Sequence, residues 1–237
     1  MSRPVAVTPK SRRMTMNTIA SSAHESDGGR IVRMDDTTVS VTSVDSPLGT
    51  LHVAAIDTGV CALAFDEHRD ALAPRLRRML GPFFRIEPGD PLHAARRLRA
   101  YFAGNFGALA DVALASAATP MQRRVWSLVR AVPAGSVTTY AALAGRLGMP
   151  RAQRAVGVCL ATNAVPIFVP CHRVVSTSGG LASHPGGVER KRWLLRHECA
   201  LDVADLTMAR VLRARERSRL LPDDTVELVE LPRVVGY

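Results

Sequence analysis

The stretch Thr138-Thr139-Tyr140-Ala141-Ala142-Leu143-Ala144-Gly145-Arg146-Leu147-Gly148-Met149-Pro150-Arg151-Ala152-Gln153-Arg154-Ala155-Val156-Gly157 reads as two short helices joined by a glycine-containing turn. Thr138-Thr139 offers hydroxyls to cap a helix over Tyr140 to Leu147. Gly148-Met149-Pro150 is a tight turn, and Pro150 opens a second helix that runs to about Thr162. Two helices across such a turn have the pattern of a helix-turn-helix. Its second helix puts Arg151, Ala152, Gln153, Arg154 and Gly157 where a groove-reading element carries its contacts.

Working outward, Thr119-Pro120 pairs an N-cap threonine with proline at the first helical position. Val125, Leu128 and Val129 give the helix that follows an apolar stripe, and Pro133-Ala134-Gly135 ends it. Downstream, Val165-Pro166-Ile167-Phe168-Val169-Pro170 is expected to be extended, because its prolines exclude helix. This apolar run delivers Cys171-His172-Arg173-Val174. A thiol next to an imidazole is the arrangement that lowers a cysteine pKa and makes a nucleophile. A loop with four glycines, from Ser176 to Gly187, and a helix from Val188 to Glu198 complete this part.

The N-terminal part reads differently. Val39, Val41 and Val44, then Leu51, Val53 and Ala55, alternate on either side of Asp45-Ser46-Pro47-Leu48-Gly49, the pattern of a β-hairpin. Cys61 to Phe65 is a third short strand, and residues 69–80 and 91–103 have helical character. The expected fold class is α/β (α+β): a small sheet-plus-helix domain over 37–118, then a mostly helical domain over 119–199 that holds the helix-turn-helix and the cysteine. Residues 1–36 lack periodicity and are expected to be a disordered extension. Residues 200–237 form a C-terminal extension, with a helix expected over 202–219 and a strand over 225–231.

The formal net charge is +10, and its distribution matters more than its total. The balance is +2 over 1–36, zero over 37–118, +9 over 119–199 and −1 over 200–237. The positive excess therefore surrounds Cys171, and a polyanion that brings substrate to the thiol explains it. No run approaches the ~20 apolar residues of a membrane span, and the N-terminus lacks the apolar core of a secretory signal. The Ser-, Thr- and Met-rich start is compatible with a mitochondrial presequence, but a plain flexible extension is the expectation. Only Lys10 and Lys191 are lysines among 31 basic residues. That bias suggests a bacterial coding sequence of high GC content. Four cysteines without a C-x-x-C pair fit a reducing cytoplasm rather than a disulfide scaffold. Cys159 and Cys199 read as packing residues, and His197 as a surface histidine of the last helix. Cys61 with His52, His68 or His93 has no metal-site spacing, so no metal and no cofactor are expected.

Pro170-Cys171-His172-Arg173-Val174 resembles the active-site signature of the O6-alkylguanine-DNA alkyltransferases, the methylated-DNA–protein-cysteine methyltransferases. Pro133-Ala134-Gly135, Thr139-Tyr140, Arg154-Ala155-Val156-Gly157, Asn163, and Leu194-Leu195 through Glu198 fall in the order and spacing of that family. Asp45-Ser46-Pro47-Leu48-Gly49 is similar to its N-terminal domain. The resemblance covers roughly residues 37–200.

It implies single-turnover repair in which an O6-alkylated guanine, or an O4-alkylated thymine, leaves the duplex and gives its alkyl group to Cys171. His172 would take the thiol proton, through a water, and Glu198 would orient the imidazole. Tyr140 would donate a hydrogen bond to the departing base. Asn163 would tie the reading helix to the active-site strand, and Arg154 would fill the gap left by the base. The backbone carbonyls of Cys171 and Val174 would read the guanine amino group. The small residues Ala152, Gly157 and Ala161 would allow close approach in the minor groove. The implied partner is double-stranded DNA containing O6-alkylguanine, bound by a monomer in the cytoplasm at the nucleoid, with no membrane involved.

The base-pocket loop departs from the family pattern. Ser183-His184-Pro185-Gly186-Gly187 stands where Gly-Tyr usually precedes the paired glycines. His184 takes the tyrosine position. Pro185 lies where a backbone N–H commonly points at guanine O6, and proline has none. Slower transfer is expected, with His184 as the residue that can stand in as donor. The double change His184→Tyr with Pro185→Ser is expected to raise the rate. Ala164 replaces a proline that often follows the hinge asparagine. Two further readings compete: a lesion-binding protein that recognises alkylated guanine but repairs it poorly, and a cysteine hydrolase using Cys171, His172 and Glu198.

Overall fold

The computed structural model describes residues 37–90, 92–178, 180–181, 184–199 and 229–230, all within one compact unit. The expected N-terminal extension, the 202–219 helix and Ser183 lie outside the described residues, as does all of the 225–231 strand except Val229 and Glu230.

Strand β1 (Thr37–Val44) forms a hairpin with β2 (Leu51–Ile56), which pairs antiparallel with β3 (Gly59–Phe65). The turn closes where Gly49 N–H donates to Ser46 O at 3.0 Å, with Gly49 at φ 92°. A fourth strand, β4 (Phe84–Pro88), joins β1 in parallel, so the sheet order is β3-β2-β1-β4. The sequence reading missed β4. It is short, mostly exposed and ends in proline, as edge strands do.

Every residue of β3 is buried, because both faces of the sheet are covered. On one face Val39, Ala54, Cys61, Ala62 and Ala64 meet Leu72 and Leu76 of α1 (Leu72–Leu80). The other face contributes Leu51, Val53, Leu63 and Phe65 to the main core. The 69–80 helix begins as a 3-10 turn over Asp66–Ala71. The 91–103 helix is α2 (Ala94–Phe102).

Helix α3 (Pro120–Arg130) starts where Thr119-Pro120 signalled, and Gln122 completes a capping box there. Gln122 N–H donates to Thr119 Oγ1 at 3.2 Å, and Thr119 N–H to Gln122 Oε1 at 2.8 Å. Strand β5 (Ser136–Thr139) follows and runs straight into α4 (Tyr140–Arg146), with Thr139 Oγ1 capping Ala142 N–H at 3.1 Å. Helix α5 is Gln153–Ala161. It starts three residues later than Pro150 suggested, because residues 148–152 turn around Gly148 at φ 72°. Arg151 and Ala152 therefore precede the helix.

One expectation is overturned. Residues 165–170 do not form a strand leading to Cys171. They double back, with Val169 N–H on Val165 O at 2.9 Å and Ile167 at φ 75°. Pro166 and Pro170 have no N–H for a ladder, so the segment folds on itself. Cys171–Arg173 is a 3-10 turn, followed by β6 (Val174–Val175) parallel to β5. On its other edge β5 pairs antiparallel with β7 (Val229–Glu230). Helix α6 (Val188–Cys199) closes the fold. A continuous apolar core runs from Val44 and Leu63 of the sheet through Trp126 and Val156 to Leu194. Residues 37–118 and 119–199 thus share one interior, and Leu63 N–H bonds Ala164 O across it at 2.8 Å. Among the described residues no helix is long and apolar enough to cross a membrane.

Candidate active site

Asn163 follows α5 and is buried. Its Oδ1 accepts the Val165 N–H at 3.0 Å, and that bond fixes which way the amide faces. Its Nδ2 then donates to Val169 O at 3.0 Å and to Cys171 Sγ at 3.2 Å. One side chain thereby staples the 165–170 turn and touches the sulfur. The turn needs such support, because a β-branched residue at positive φ costs ~1–3 kcal/mol.

Around His172 the groups form a closed network. Its Nε2–H donates to Glu198 Oε1 at 3.0 Å, since a carboxylate only accepts. Glu198 also accepts from Arg173 Nε at 2.8 Å, from Arg173 Nη2 at 2.8 Å and from Tyr101 Oη at 2.7 Å. Arg173 Nη1 reaches Val132 O as well. His197 Nε2 donates to the Tyr101 carbonyl at 3.1 Å and stacks on Trp193. Burial alone would raise the Glu198 carboxyl, but the His172 and Arg173 interactions outweigh it and hold the carboxyl below its usual range. Burial pulls the His172 imidazole down, so the ring is neutral at pH 7. With His172 neutral, the charge that keeps Glu198 ionised is the forked Arg173 guanidinium. Nδ1 of His172 is then an unprotonated acceptor, buried and without a partner among the described residues.

Cys171 is 4% exposed, and burial pushes its thiol up to about 11. The Asn163 bond and the Lys191 charge pull it back only in part. This corrects the expectation that the neighbouring histidine holds a resting thiolate. The closed site holds a thiol, because desolvation of the anion exceeds the help from its neighbours. His172 makes its bond to Glu198 rather than to Sγ.

Lys191 belongs to this cluster and was not singled out by the sequence. It is fully buried on α6, with Nζ on Val174 O at 2.5 Å. Burial pulls its ammonium down to about 8, and the Cys171 thiolate is the group that opposes this. The available signal was its identity: a lysine kept where all other basic residues of 119–199 are arginine. A compact ammonium suits a buried point-charge role better than a guanidinium fork. Arg173 and Tyr101 were missed as well.

The remaining candidates fall into two groups. Tyr140 begins α4, half-buried; burial raises its phenol, and the Cys171 charge adds to that. Its ring lies beside Gly157 of α5, where an added Cβ would sit 3.9 Å from Cε1. His184 is buried with its ring edge-on to His172, centroids 6.4 Å apart. Val174 O is already bonded to Lys191, and Cys171 O accepts the Val174 N–H. Gly186 packs against Phe65 so closely that a Cβ would come within 2.5 Å of the ring. Arg190 fixes that contact: it lies over Phe65 at 4.2 Å and bonds Gly186 O, Leu48 O and Glu67.

Arg151, Gln153 and Arg154 stay outside this cluster. They are exposed, together with Ala155, Val158 and Ala161 of the same helix and Met149 before it. Among the described residues no three His, Cys, Asp or Glu side chains gather to hold a metal ion. Cys61 Sγ donates to Ala54 O at 3.2 Å, and His52 bonds Ser43 and Asp66.

Residues 120–200 match the family model described as "6-O-methylguanine DNA methyltransferase, DNA binding domain". The methylated-DNA–protein-cysteine methyltransferase of Salmonella typhimurium is 39% identical over 162 residues, 65% of this chain and 92% of that protein. The protein of the same name from Mycobacterium tuberculosis is 35% identical over 171 residues, 70% of this chain and 96% of its own length. The crystal structure of Mycobacterium tuberculosis OGT in complex with DNA superposes with a TM-score of 0.57 at 35% identity. It covers 73% of this chain and 99% of that one.

Proposed function

This chain belongs to the methylated-DNA–protein-cysteine methyltransferase family, and we propose that it carries out that family's direct-reversal DNA repair with Cys171 as the acceptor. The substrate is O6-alkylguanine in duplex DNA, and O4-alkylthymine by the same chemistry. A displaced base brings its alkyl carbon to Sγ. The thiol proton passes to the bare Nδ1 of His172, through a water, and Glu198 stabilises the resulting imidazolium. The S–C bond forms as the C–O6 bond breaks, and the electron pair stays on the base. The proton taken by His172 is delivered to guanine N1, which restores guanine. The thioether does not reverse, so each molecule acts once.

Lys191 and Asn163 do the electrostatic work. A buried sulfur ionises only with a cation and a donor at hand, and these two residues supply them. Tyr140 stands at the start of α4, with its ring beside Gly157 of α5, and donates to the leaving base. Helices α4 and α5 form the DNA-reading unit, with α5 in the minor groove. Its exposed face is small and apolar at Ala155, Val158 and Ala161, with Arg151 and Arg154 at its start for phosphates and for the gap in the stack. The +9 balance of 119–199 supports DNA as the partner. The protein acts as a monomer, in the bacterial cytoplasm.

The carrying observation is that an amide donor and a buried ammonium act on Cys171, while the next residue, His172, is a neutral imidazole backed by a carboxylate. The test is intact mass after incubation with a duplex carrying O6-methylguanine. One added methyl at Cys171, absent in Cys171→Ser, is expected. Binding without mass gain would establish the recognition-only reading instead, and neither binding nor gain would point to a hydrolase.

A further inference from the structure

Hydrogen-bond accounting around His184 leaves one donor unused. Its Nδ1 accepts the Gly186 N–H at 3.0 Å. A backbone N–H only donates, so Nδ1 is bare and the ring proton is on Nε2. Nε2–H is enclosed and has no partner among the described residues. The one other buried side-chain nitrogen or oxygen in this state there is Nδ1 of His172, on the ring that faces it. Buried polar groups are nearly always satisfied, so an unused donor on a ring set edge-on to His172 marks a place for a ligand atom.

Of the loop residues that follow His184, Pro185 to Gly187 offer no other donor. Pro185 has no N–H. The Gly186 N–H is spent on His184 Nδ1, and the Gly187 N–H on His184 O at 2.9 Å. The loop cannot shift easily, because Gly186 is pressed onto Phe65 and held by Arg190. Burial, with the Lys191 and Arg190 charges adding to it, pulls the His184 imidazole down to about 3. It is therefore neutral, in one tautomer, over the whole working range of pH.

We propose that His184 Nε2–H donates the hydrogen bond that takes up negative charge on O6 as guanine leaves. This rests on the alkyl-transfer reading above and adds a residue to it. As the methyl carbon passes from O6 to Sγ, the freed electron pair is shared between O6 and N1. His184 keeps its own proton throughout; the proton that reaches N1 is the one His172 took from the thiol. A donor already in place when charge develops needs no reorganisation, which is why such groups accelerate reactions.

The test compares transfer rates from two duplexes, one with O6-methylguanine and one with S6-methyl-6-thioguanine, for the unaltered chain, His184→Phe and His184→Gln. Sulfur accepts hydrogen bonds weakly. His184→Phe is expected to slow the oxygen substrate about a hundredfold and the sulfur substrate far less. His184→Gln, which keeps an N–H at the same reach, is expected to retain most of the oxygen rate. Equal slowing of both substrates, or no slowing, overturns the inference. An unaltered chain that gains no methyl from either duplex overturns the alkyl-transfer reading itself. A measurement independent of these variants uses nitrogen-15 spectra of histidine in Cys171→Ser. The Nε2–H signal of His184 is expected to move downfield with the methylated duplex and not with the unmethylated one; no movement overturns the inference.

Discussion

Asn163 Nδ2 lies 3.2 Å from Cys171 Sγ and donates to it, while its Oδ1 is pinned by the Val165 N–H. The residue that ends the α5 segment is thus in direct bonding contact with the nucleophile.

Asn163→Ala removes three bonds: it leaves the Val165 N–H buried without a partner and leaves Val169 O with the Cys171 N–H alone. A destabilisation of about 1–3 kcal/mol is expected from this one orphan, measured by urea unfolding. Asn163→Asp keeps the size but brings an anion to the sulfur. It is expected to raise the Cys171 pKa further and to slow transfer more than tenfold, read by thiolate absorbance against pH and by single-turnover rates. A faster Asn163→Asp would remove the electrostatic role given to the amide.

Glu198 binds fewer protons folded than unfolded at acid pH, since its carboxyl is held below the unfolded value of 4.5. Its contribution to stability is complete above about pH 5 and declines as pH falls below 4.5. Glu198→Gln is expected to lose about 3–5 kcal/mol at pH 7, because Arg173 is left buried without a counter-charge. Its stability should also change less between pH 5 and 3 than that of the parent. Denaturant midpoints across this range test both parts.

Lys191 shows the opposite relation between stability and function. Its ammonium titrates at about 8 folded against 10.5 for the free side chain. Between these values the unfolded chain holds more protons, so this group makes stability rise with pH from about 8 to 10.5. The Cys171 thiol, at about 11 against 9.0, acts in the reverse sense above pH 9. The Cys61 thiol, also pushed up to about 11, opposes it in the same way, so in a Cys171→Ser background the rise should be clear between pH 8 and 9, and Lys191→Met should abolish it. In the chain with its cysteine, Lys191→Met is expected to slow transfer at least tenfold at pH 7. Its unfolding free energy should stay within about 1 kcal/mol of the parent or exceed it, because a buried charge has been removed.

Arg154 is exposed at the start of α5, outside the buried network. Arg154→Ala is expected to change unfolding free energy by less than about 0.5 kcal/mol. Its affinity for duplex DNA should fall and the dependence of binding on salt should become shallower, since about one phosphate contact is lost. Transfer from free O6-methylguanine base should be unaffected while transfer from the duplex slows. Fluorescence titrations at several salt concentrations decide this.

Short-range chemistry made much of this molecule legible. The Thr119 cap, the Thr139 cap and the hairpin at Asp45–Gly49 are each carried by neighbouring residues, and each is where its sequence places it; the pairing of His172 with Glu198 was implied by the family resemblance, not by any local pattern. The failures share a cause. The 165–170 segment was read as a strand, yet its prolines leave it without a ladder, and Asn163 supports the turn instead. Strands β4 and β5 were missed because four or five residues at an edge or beside a helix cap leave little periodic signal.

By itself the sequence determined the family, the nucleophile, the concentration of positive charge around it and the local start and stop of most helices. Only the tertiary structure decided the protonation of Cys171, the burial of Lys191 against it, the fork of Arg173 on Glu198, and the bond to Glu198 from Tyr101, 97 residues away along the chain. It also decided that His184 has one free N–H. These properties depend on how much water is excluded from each group and on which dipoles surround it. Both are set by residues far apart in the chain, so no local pattern encodes them.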